Sequence, residues 1–183
     1  MRTVKELVEH ISTKDGGEAV IRPVRQDDAA DIIEAVKDVI ETGVYIQKER
    51  PRTFEEEQAF IQEMREKDNM YAAVEIDGKV YGIARVIRGE LQMKKHTGLF
   101  RTWLHRRAQG LGIGKEIMSY TLNWCRLHQL HKLCLTVFSS NEAALSLYKK
   151  NGFIIEGIQK EQVLSNGVFE DEVLMACFFK RST

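Results

Sequence analysis

Residues 106–114 read Arg-Arg-Ala-Gln-Gly-Leu-Gly-Ile-Gly, and they lie between an apolar run that ends at Leu104 and a helical pattern that begins near Lys115. Three glycines spaced by single residues allow the backbone to bend tightly and to turn its N–H groups inward. The helix that follows adds the unpaired N–H groups of its first turn and the positive end of its dipole. This stretch therefore predicts a main-chain site for a diphosphate at a strand-to-helix junction.

Two other glycine-rich phosphate sites fit this stretch less well. A dinucleotide fold requires Gly-x-Gly-x-x-Gly early in the chain, whereas Gly110-Leu111-Gly112-Ile113-Gly114 lies past its middle. A P-loop requires Gly-x-x-x-x-Gly-Lys-Ser/Thr, but residue 109 is Gln, and Glu116 stands where the hydroxyl that binds magnesium should be. A nucleotide-binding α/β protein and a turn that merely caps a helix stay open at this point.

The composition favours one globular domain without a global charge. The chain has 183 residues, of which 43% are hydrophobic and 30% are charged, and this is enough to bury one sizeable core. The formal net charge is zero, so no overall field attracts nucleic acid or a membrane surface. Two local basic patches, Lys94-Lys95-His96 and Arg106-Arg107, remain candidate phosphate contacts.

The cysteines and the first residues indicate the cellular environment. Cys125, Cys134 and Cys177 are odd in number, widely spaced and set in apolar surroundings, which favours reduced thiols over a disulfide framework or a zinc site. Residues 1–14 carry scattered charges and no continuous apolar segment, so they resemble neither a signal peptide nor a membrane anchor. We expect a cytoplasmic protein with no metal site and no nucleic-acid or membrane partner.

The pattern of apolar residues predicts an N-terminal extension over 1–17 and one domain over 18–183. The extension carries Val4, Leu7, Val8 and Ile11 at helical spacing, so we expect either a packed extra helix or a mobile arm. Asp77-Gly78 and Asn166-Gly167 are typical hairpin turns. The expected elements are a strand at 19–24, helices at 27–40 and 54–66, strands at 71–76, 80–87 and 96–104, a helix from 115, a strand at 132–138, a helix at 141–150, and strands at 153–161 and 169–178.

Two motifs in this order resemble the GNAT superfamily of acyl-CoA-dependent N-acyltransferases. The pyrophosphate motif of that family, Gln/Arg-x-x-Gly-x-Gly/Ala, is present as Gln109-Gly110-Leu111-Gly112-Ile113-Gly114. A second signature, Asn-x-x-Ala-x-x-x-Tyr-x-x-x-Gly-Phe, spans 141–153. The resemblance covers about 19–179 and implies an α/β (α+β) domain with a mixed central sheet of about seven strands and about four flanking helices. The last two strands look like those of a subgroup that acetylates polyamines, amino acids, antibiotics and ribosomal proteins.

The resemblance also implies roles for individual residues around acetyl-CoA. The main chain of 109–114, with Lys115 next to it, would hold the diphosphate, and Trp103 and Leu104 would bond the pantetheine amides as an added strand does. Asn141 would contact the pantetheine arm, and Tyr148 would lie near the thioester sulfur and act as the general acid. The implied activity is direct acetyl transfer to a primary amine of a small metabolite or a peptide N-terminus.

The sequence leaves the general base and the acceptor open. The strand at 96–104 lacks the carboxylate that many relatives place there, so His96, Glu75, Glu156, Glu170 or a chain of water molecules are the alternatives. The missing carboxylate also keeps a second function open, a non-catalytic acyl-CoA sensor or scaffold. The late hairpin could pair across a twofold axis to form a homodimer.

Acceptor specificity is expected from segments that surround the cleft in this fold. These segments are the two helices after the first strand, the loop at 41–53 and the turn at 162–170. Several glutamates could select a cationic amine by charge, although those at 55–57 equally favour the start of a helix. The glutamates in question are Glu41, Glu49, Glu55, Glu56 and Glu57.

Overall fold

A computed structural model describes residues 6–180. The chain forms eight strands and four helices in the order β1 (Glu9–Ser12), β2 (Glu18–Pro23), α1 (Ala29–Thr42), α2 (Phe54–Glu66), β3 (Met70–Ile76), β4 (Lys79–Arg88), β5 (Thr97–Leu104), α3 (Ile113–Leu127), β6 (Lys132–Phe138), α4 (Glu142–Lys150), β7 (Ile154–Ser165) and β8 (Val168–Phe178).

All eight strands belong to one mixed sheet in the spatial order β1-β2-β3-β4-β5-β6-β8-β7. Every neighbouring pair is antiparallel except β5 and β6, which are parallel. The α/β fold class, the mixed sheet and the four helices predicted from the sequence are confirmed. The strand count is eight rather than about seven because the N-terminal extension adds one strand.

The prediction of a helical N-terminal extension is wrong for the part that is described. β1 pairs with β2 from Glu9 opposite Ile21 to Ser12 opposite Glu18. Leu7 and Ile11 pack against the main core, and the Tyr120 hydroxyl donates to the Leu7 carbonyl oxygen at 2.8 Å. A short helix has little stability of its own, whereas a strand here satisfies the free edge of β2. Val4 lies outside the described residues.

The two hairpins predicted from the sequence are confirmed. Asp77 and Gly78 have φ angles of 51° and 77°, and Asn166 and Gly167 have φ angles of 50° and 78°. Positive φ at both central residues is the requirement of the turn type whose twist matches two antiparallel strands. β7 is longer than expected, since it continues to the turn instead of ending near residue 161.

The helices cover opposite faces of the sheet. α1 and α2 pack on one face, where the core includes Ile32, Ile61, Met64, Tyr71 and Ile83. α3 packs on the other face over a larger core, and α4 contributes partly buried residues there. The glycine-rich stretch and the segment between α1 and α2 therefore approach the sheet from opposite sides.

The feature that positions the functional site is a gap between β5 and β6. These strands pair only from Thr97 opposite Lys132 to Leu99 opposite Cys134. Beyond that point β5 stays paired with β4 up to Leu104, while β6 stays paired with β8. The two central strands diverge, and they leave an opening through the sheet with main-chain groups on its borders.

Across the described part of the chain, no helix is both long enough and apolar enough to cross a membrane.

Candidate active site

A cavity of about 1030 Å³ lies at the gap between β5 and β6. Its walls come from both faces of the sheet, because the strands that border it no longer pair. On the α3 and α4 side the walls include Leu104, Gln109, Asn141 and Tyr148, and on the α1 and α2 side they include residues of the loop 43–53. The cavity therefore connects the predicted cofactor residues with the predicted acceptor segment.

The glycine-rich stretch forms the turn that the sequence predicts. Gly110 and Gly112 have φ angles of +74° and +81°, which side chains rarely adopt, and Gly112 is the N-cap of α3. The Ile113 side chain is 1% exposed and belongs to the core, so only its main-chain N–H can face a ligand. The Gln109 amide donates to the Leu104 carbonyl oxygen at 2.9 Å, which ties the turn to the end of β5.

A contact that the sequence did not predict joins the N-terminal extension to this turn. The N–H of Lys14, between β1 and β2, donates to the Leu111 carbonyl oxygen at 3.1 Å. The carbons of the Lys14 side chain lie 3.3–3.7 Å from where a methyl group on Gly112 would stand. Sequence analysis placed Lys14 beside a domain boundary, and the pattern of residues carried no signal of this contact.

Asn141 and Tyr148 are positioned by α4. The Asn141 side chain caps the helix by accepting the N–H of Ala144 at 3.2 Å. The Tyr148 ring packs edge-on against Phe100 of β5 with ring centroids 6.4 Å apart, and at a tilt against Phe153 with centroids 5.7 Å apart. This packing fixes the ring on the wall of the cavity.

The Tyr148 hydroxyl is suited to hold a proton. It makes no hydrogen bond within residues 6–180, and burial raises the pKa of Tyr148 to about 12. A phenol with this pKa stays protonated at neutral pH, so it is available as a proton donor.

The predicted general bases lie away from the cavity. Glu75 forms an ion pair with Arg22, with the carboxylate oxygen 2.6 Å from the guanidinium nitrogen, and Glu156 pairs with Lys132 at 2.9 Å. Glu170 accepts the hydroxyl of Ser140, and His96 is exposed before β5, beside the ring of His131. None of these four candidates lines the cavity.

The half of the cavity on the α1 and α2 side, where the acceptor is predicted to bind (the acceptor half), is cationic, so the prediction that glutamates could select a cationic amine is not supported. Of the five predicted glutamates only Glu49 and Glu56 line the cavity. Glu56 is hydrogen-bonded to Arg50, which lowers the pKa of Glu56 to about 2, and it also forms the capping box of α2 with Thr53. Glu57 is buried, where it binds Arg52 and the Tyr71 hydroxyl.

The loop 43–53 forms a strap over the acceptor half. The Tyr45 hydroxyl donates to the Ser140 carbonyl oxygen at 3.2 Å, and the Gln47 amide donates to Glu172 at 3.0 Å. The loop therefore lines the cavity, and its predicted role in acceptor specificity stays a prediction. No residue of the predicted turn 162–170 lines the cavity, because β7 and its hairpin extend away from it.

Sequence reasoning missed the positive residues of the acceptor wall. Lys48, Arg52, Arg85 and Arg101 are half-buried and line the cavity. A signal was available, because Arg85 and Arg101 interrupt apolar strands at central positions, and a charge there needs a partner. Within residues 6–180, no cluster of three or more His, Cys, Asp or Glu side chains forms a candidate metal site.

Comparison with known proteins agrees with this geometry. The model of the acetyltransferase (GNAT) family matches residues 37–153, a range that contains the glycine turn, Asn141 and Tyr148. The chain belongs to the GNAT family. This confirms the resemblance predicted from the two sequence motifs.

Individual GNAT proteins are similar to the chain in sequence or in fold. The L-amino acid N-acetyltransferase AaaT of Escherichia coli is 32% identical over 55% of this chain, and the alignment spans 63% of that relative, less than two thirds. A GNAT acetyltransferase from Streptococcus pneumoniae superposes with a TM-score of 0.83 at 25% identity, covering 88% of this chain and 99% of that one. A phosphinothricin acetyltransferase from Sinorhizobium meliloti, solved with acetyl-CoA, shares the fold with a TM-score of 0.80 at 18% identity, covering 92% and 89%.

Proposed function

We propose that the chain is an acetyl-CoA-dependent N-acetyltransferase that acetylates a primary amine of a small metabolite or a peptide N-terminus by direct attack in a ternary complex. One observation carries this proposal. One cavity is lined by Gln109, at the start of the glycine turn, and by Tyr148 on one face of the sheet, and by a charged wall on the other face. Two reactants that enter from opposite sides would meet in the strand gap.

The residues on the cofactor side fit a coenzyme A thioester. Gly110 and Gly112 adopt the backbone that turns N–H groups toward an anion, and α3 begins at the same place. The border of β5 next to the gap, including Trp103 and Leu104, has no strand partner among residues 6–180 and can bond an extended amide chain. Similarity to a GNAT neighbour solved with acetyl-CoA supports the same choice.

The chemistry follows from the position of Tyr148. Bound acetyl-CoA supplies the acetyl group, so that the amine nitrogen forms a C–N bond while the C–S bond breaks and a thiolate leaves. Tyr148 gives its proton to the thiolate and regains one from water, and the attacking nitrogen loses its excess proton to water. Holding both reactants in one cavity supplies most of the acceleration, on the order of 7–11 kcal/mol for well-oriented partners.

The structure favours water over a carboxylate as the path for the proton of the amine. Glu56, one of the carboxylates on the wall, has a pKa of about 2, which makes it a weak base at neutral pH. The cationic side chains nearby disfavour a charged ammonium group and so favour the free amine. We propose that the proton of the amine leaves through solvent in the cavity.

Two measurements test the proposed function. Calorimetry should detect binding of acetyl-CoA, and a panel of primary amines should release free thiol from acetyl-CoA when the protein is present. The alternative function, an acyl-CoA sensor or scaffold, predicts binding without release of thiol for every amine. Absence of any affinity for acetyl-CoA would contradict both functions.

We also propose that two copies of the chain associate through β7. This strand is at the edge of the sheet, and it exposes Ile154, Ile155 and Ile158 by 57%, 46% and 51%. A long apolar edge strand is an aggregation hazard unless another surface covers it, and a twofold axis lets the same edge cover itself. Sedimentation should show a dimer that the substitution Ile158→Lys converts to a monomer. A monomeric unmodified protein would contradict this proposal.

A further inference from the structure

Two arginines face each other inside the acceptor half of the cavity. Arg85 of β4 lies directly opposite Arg101 of β5 in the register of the sheet. Both side chains are half-buried and line the cavity. Side chains directly opposite each other on antiparallel strands stand within about 5.5 Å at their Cβ atoms, and like charges there destabilise the sheet. This pair therefore has a cost for the free protein.

No side chain of residues 6–180 forms an ion pair with either arginine, although Arg85 lies over the Phe60 ring at 5.5 Å and the charge of Glu57 acts on it. Neither Arg85 nor Arg101 forms an ion pair or a hydrogen bond within that range, and the same holds for Lys48 on the strap. The other cations of the wall are already matched, since Arg50 binds Glu56 at 2.9 Å and Arg52 binds Glu57 at 3.1 Å. Glu49, the remaining carboxylate of the wall, is exposed. Lys48, Arg85 and Arg101 thus line the cavity without an ion-pair partner among residues 6–180, and the nearby Glu57 is already bound to Arg52.

Two further observations indicate an anion as the missing partner. Burial lowers the pKa of Lys48 to about 8, and the positive charge of Arg52 acts in the same direction. A bound anion would oppose both effects. In addition, the hydroxyl oxygen of Thr136 on β6 is buried without a hydrogen-bond partner within residues 6–180, and Thr136 lines the same cavity. Buried polar atoms of this kind normally have a partner.

We propose that the acceptor is a small amine that also carries an anionic group, such as a carboxylate or a phosphonate, which Arg85, Arg101 and Lys48 bind. The inference rests on the proposed function and specifies its acceptor. Arginine suits this role because its planar donors match the oxygens of a carboxylate or a phosphonate. Arg101 lies three residues before Leu104, about 10 Å along an extended strand. This spacing lets one small molecule contact the cations and also reach the end of β5.

The strap favours a small molecule over the terminus of a folded protein. Tyr45 and Gln47 hydrogen-bond to Ser140 and to Glu172 of β8, and these bonds tie the loop to the β6 and β8 side of the sheet. The Tyr45 ring also packs edge-on against Phe138, with ring centroids 6.1 Å apart. A free amino acid or aminophosphonate fits beneath such a strap, whereas a peptide anchored to a protein surface would have to displace it.

Matched amines test this inference. The panel contains an L-amino acid, its amide, the amine that lacks the carboxylate and the aminophosphonate analogue, each on a glycine, a leucine and a glutamate scaffold, with spermidine as a polycation. Release of free thiol gives kcat/KM, expressed per free amine because the members differ in amine pKa. On at least one scaffold we expect the anionic members to exceed the amide and the plain amine by about tenfold or more.

Variants connect the preference to the arginines. Arg85→Gln and Arg101→Gln should each reduce the preference for the anionic members to less than about threefold, while Arg101→Lys should keep part of it. Arg65→Gln is the matched control, because it removes an exposed positive charge outside this cavity and should leave the preference unchanged. Loss of one arginine relieves a like-charge pair, so we expect both Gln variants to fold.

Thermal unfolding supplies a readout that does not depend on turnover. With coenzyme A present to fill the glycine turn, the preferred amino acid or aminophosphonate should raise the Tm of the unmodified protein and leave both Gln variants unchanged. Equal kcat/KM for the amide and the acid, or full preference in both Gln variants, would overturn the inference while the proposed function stands. If no amine releases thiol, the proposed function fails, and the absence of an anion-dependent shift in Tm would then overturn the inference as well.

Discussion

Tyr148→Phe is expected to lower kcat by about 100-fold or more while the KM for acetyl-CoA stays within about twofold. The substitution removes only the hydroxyl, and the ring keeps its packing against Phe100 and Phe153. A positioned proton donor contributes on the order of 10²–10⁴ in rate, and this contribution is made in the transition state rather than in binding. Steady-state release of free thiol over a range of acetyl-CoA concentrations separates the two constants.

Tyr120→Phe is the matched control for the loss of a hydroxyl. The Tyr120 hydroxyl donates to the Leu7 carbonyl oxygen and lies outside the cavity, so its removal should lower stability by about 1 kcal/mol and leave kcat unchanged. Tyr148→Phe should have the opposite profile, because the Tyr148 hydroxyl has no partner in the described chain. If Tyr148→Phe keeps its full rate, Tyr148 is not the general acid.

The pH profile gives an independent check on Tyr148. Since burial raises the pKa of this phenol to about 12, the group stays protonated below that pH and loses its proton only above it. The kcat of the unmodified protein should therefore rise as the amine loses its proton and should then show no decline up to about pH 11. A decline that begins near pH 9 would indicate a different acid.

Gly112→Val is expected to raise the KM for acetyl-CoA by about 10- to 100-fold. A side chain at a φ of +81° strains the backbone by roughly 1–2 kcal/mol, and a β-branched residue tolerates that region least. Relief of the strain would rotate the N–H groups that we propose bind the diphosphate. A hydrogen bond to a charged group contributes about 1.5–3 kcal/mol, and each 1.4 kcal/mol changes affinity tenfold.

Gly167→Val separates loss of the ligand site from general strain. Gly167 has a φ of +78° in the hairpin between β7 and β8, and an added methyl group there would meet no atom within 4 Å. We expect a comparable loss of Tm in both variants, with an increased KM only for Gly112→Val. An unchanged KM in Gly112→Val would show that the glycine turn does not hold the diphosphate.

The cofactor half of the site was predictable because its residues are close together in sequence. The glycine turn and the motif at 141–153 each form one local structure, a strand-to-helix turn and a capped helix, so their spacing reports their geometry directly. Gln109 of the first motif and Asn141 and Tyr148 of the second line one cavity. Their roles in binding and catalysis stay predictions that the substitutions above would test.

The acceptor half was not predictable in the same way because it is assembled across the fold. Lys48, Arg85 and Arg101 come from a loop and two strands, and only the register of β4 with β5 makes the two arginines neighbours. From sequence, Glu56 and Glu57 either selected a cationic amine or favoured the start of α2, and the structure supports the second alternative, since both lie in the first turn of that helix, where they pair with arginines. The charges of one sequence segment therefore do not predict the net charge of the cavity wall, because that charge depends on ion pairs formed in the fold.

The prediction of a helix in the N-terminal extension was wrong for a different reason. Leu7 and Ile11 have the spacing of a helical face, but β1 spans only Glu9–Ser12, and four residues are too few for the alternation of a strand to be recognised in the sequence. The decisive interaction was pairing with β2, and a tertiary contact of this kind overrides the local pattern.

The tie between Lys14 and Leu111 has a practical consequence for how the chain is cut. The sequence alone places the domain boundary at residue 18, and a fragment that starts there would lack β1. The edge of β2 would then be unpaired and could pair with strands of other molecules. The same truncation would remove Lys14, whose N–H donates a hydrogen bond to the Leu111 carbonyl oxygen of the glycine turn. We expect such a fragment to aggregate at concentrations at which the chain with residues 1–17 remains soluble, and to bind acetyl-CoA with lower affinity.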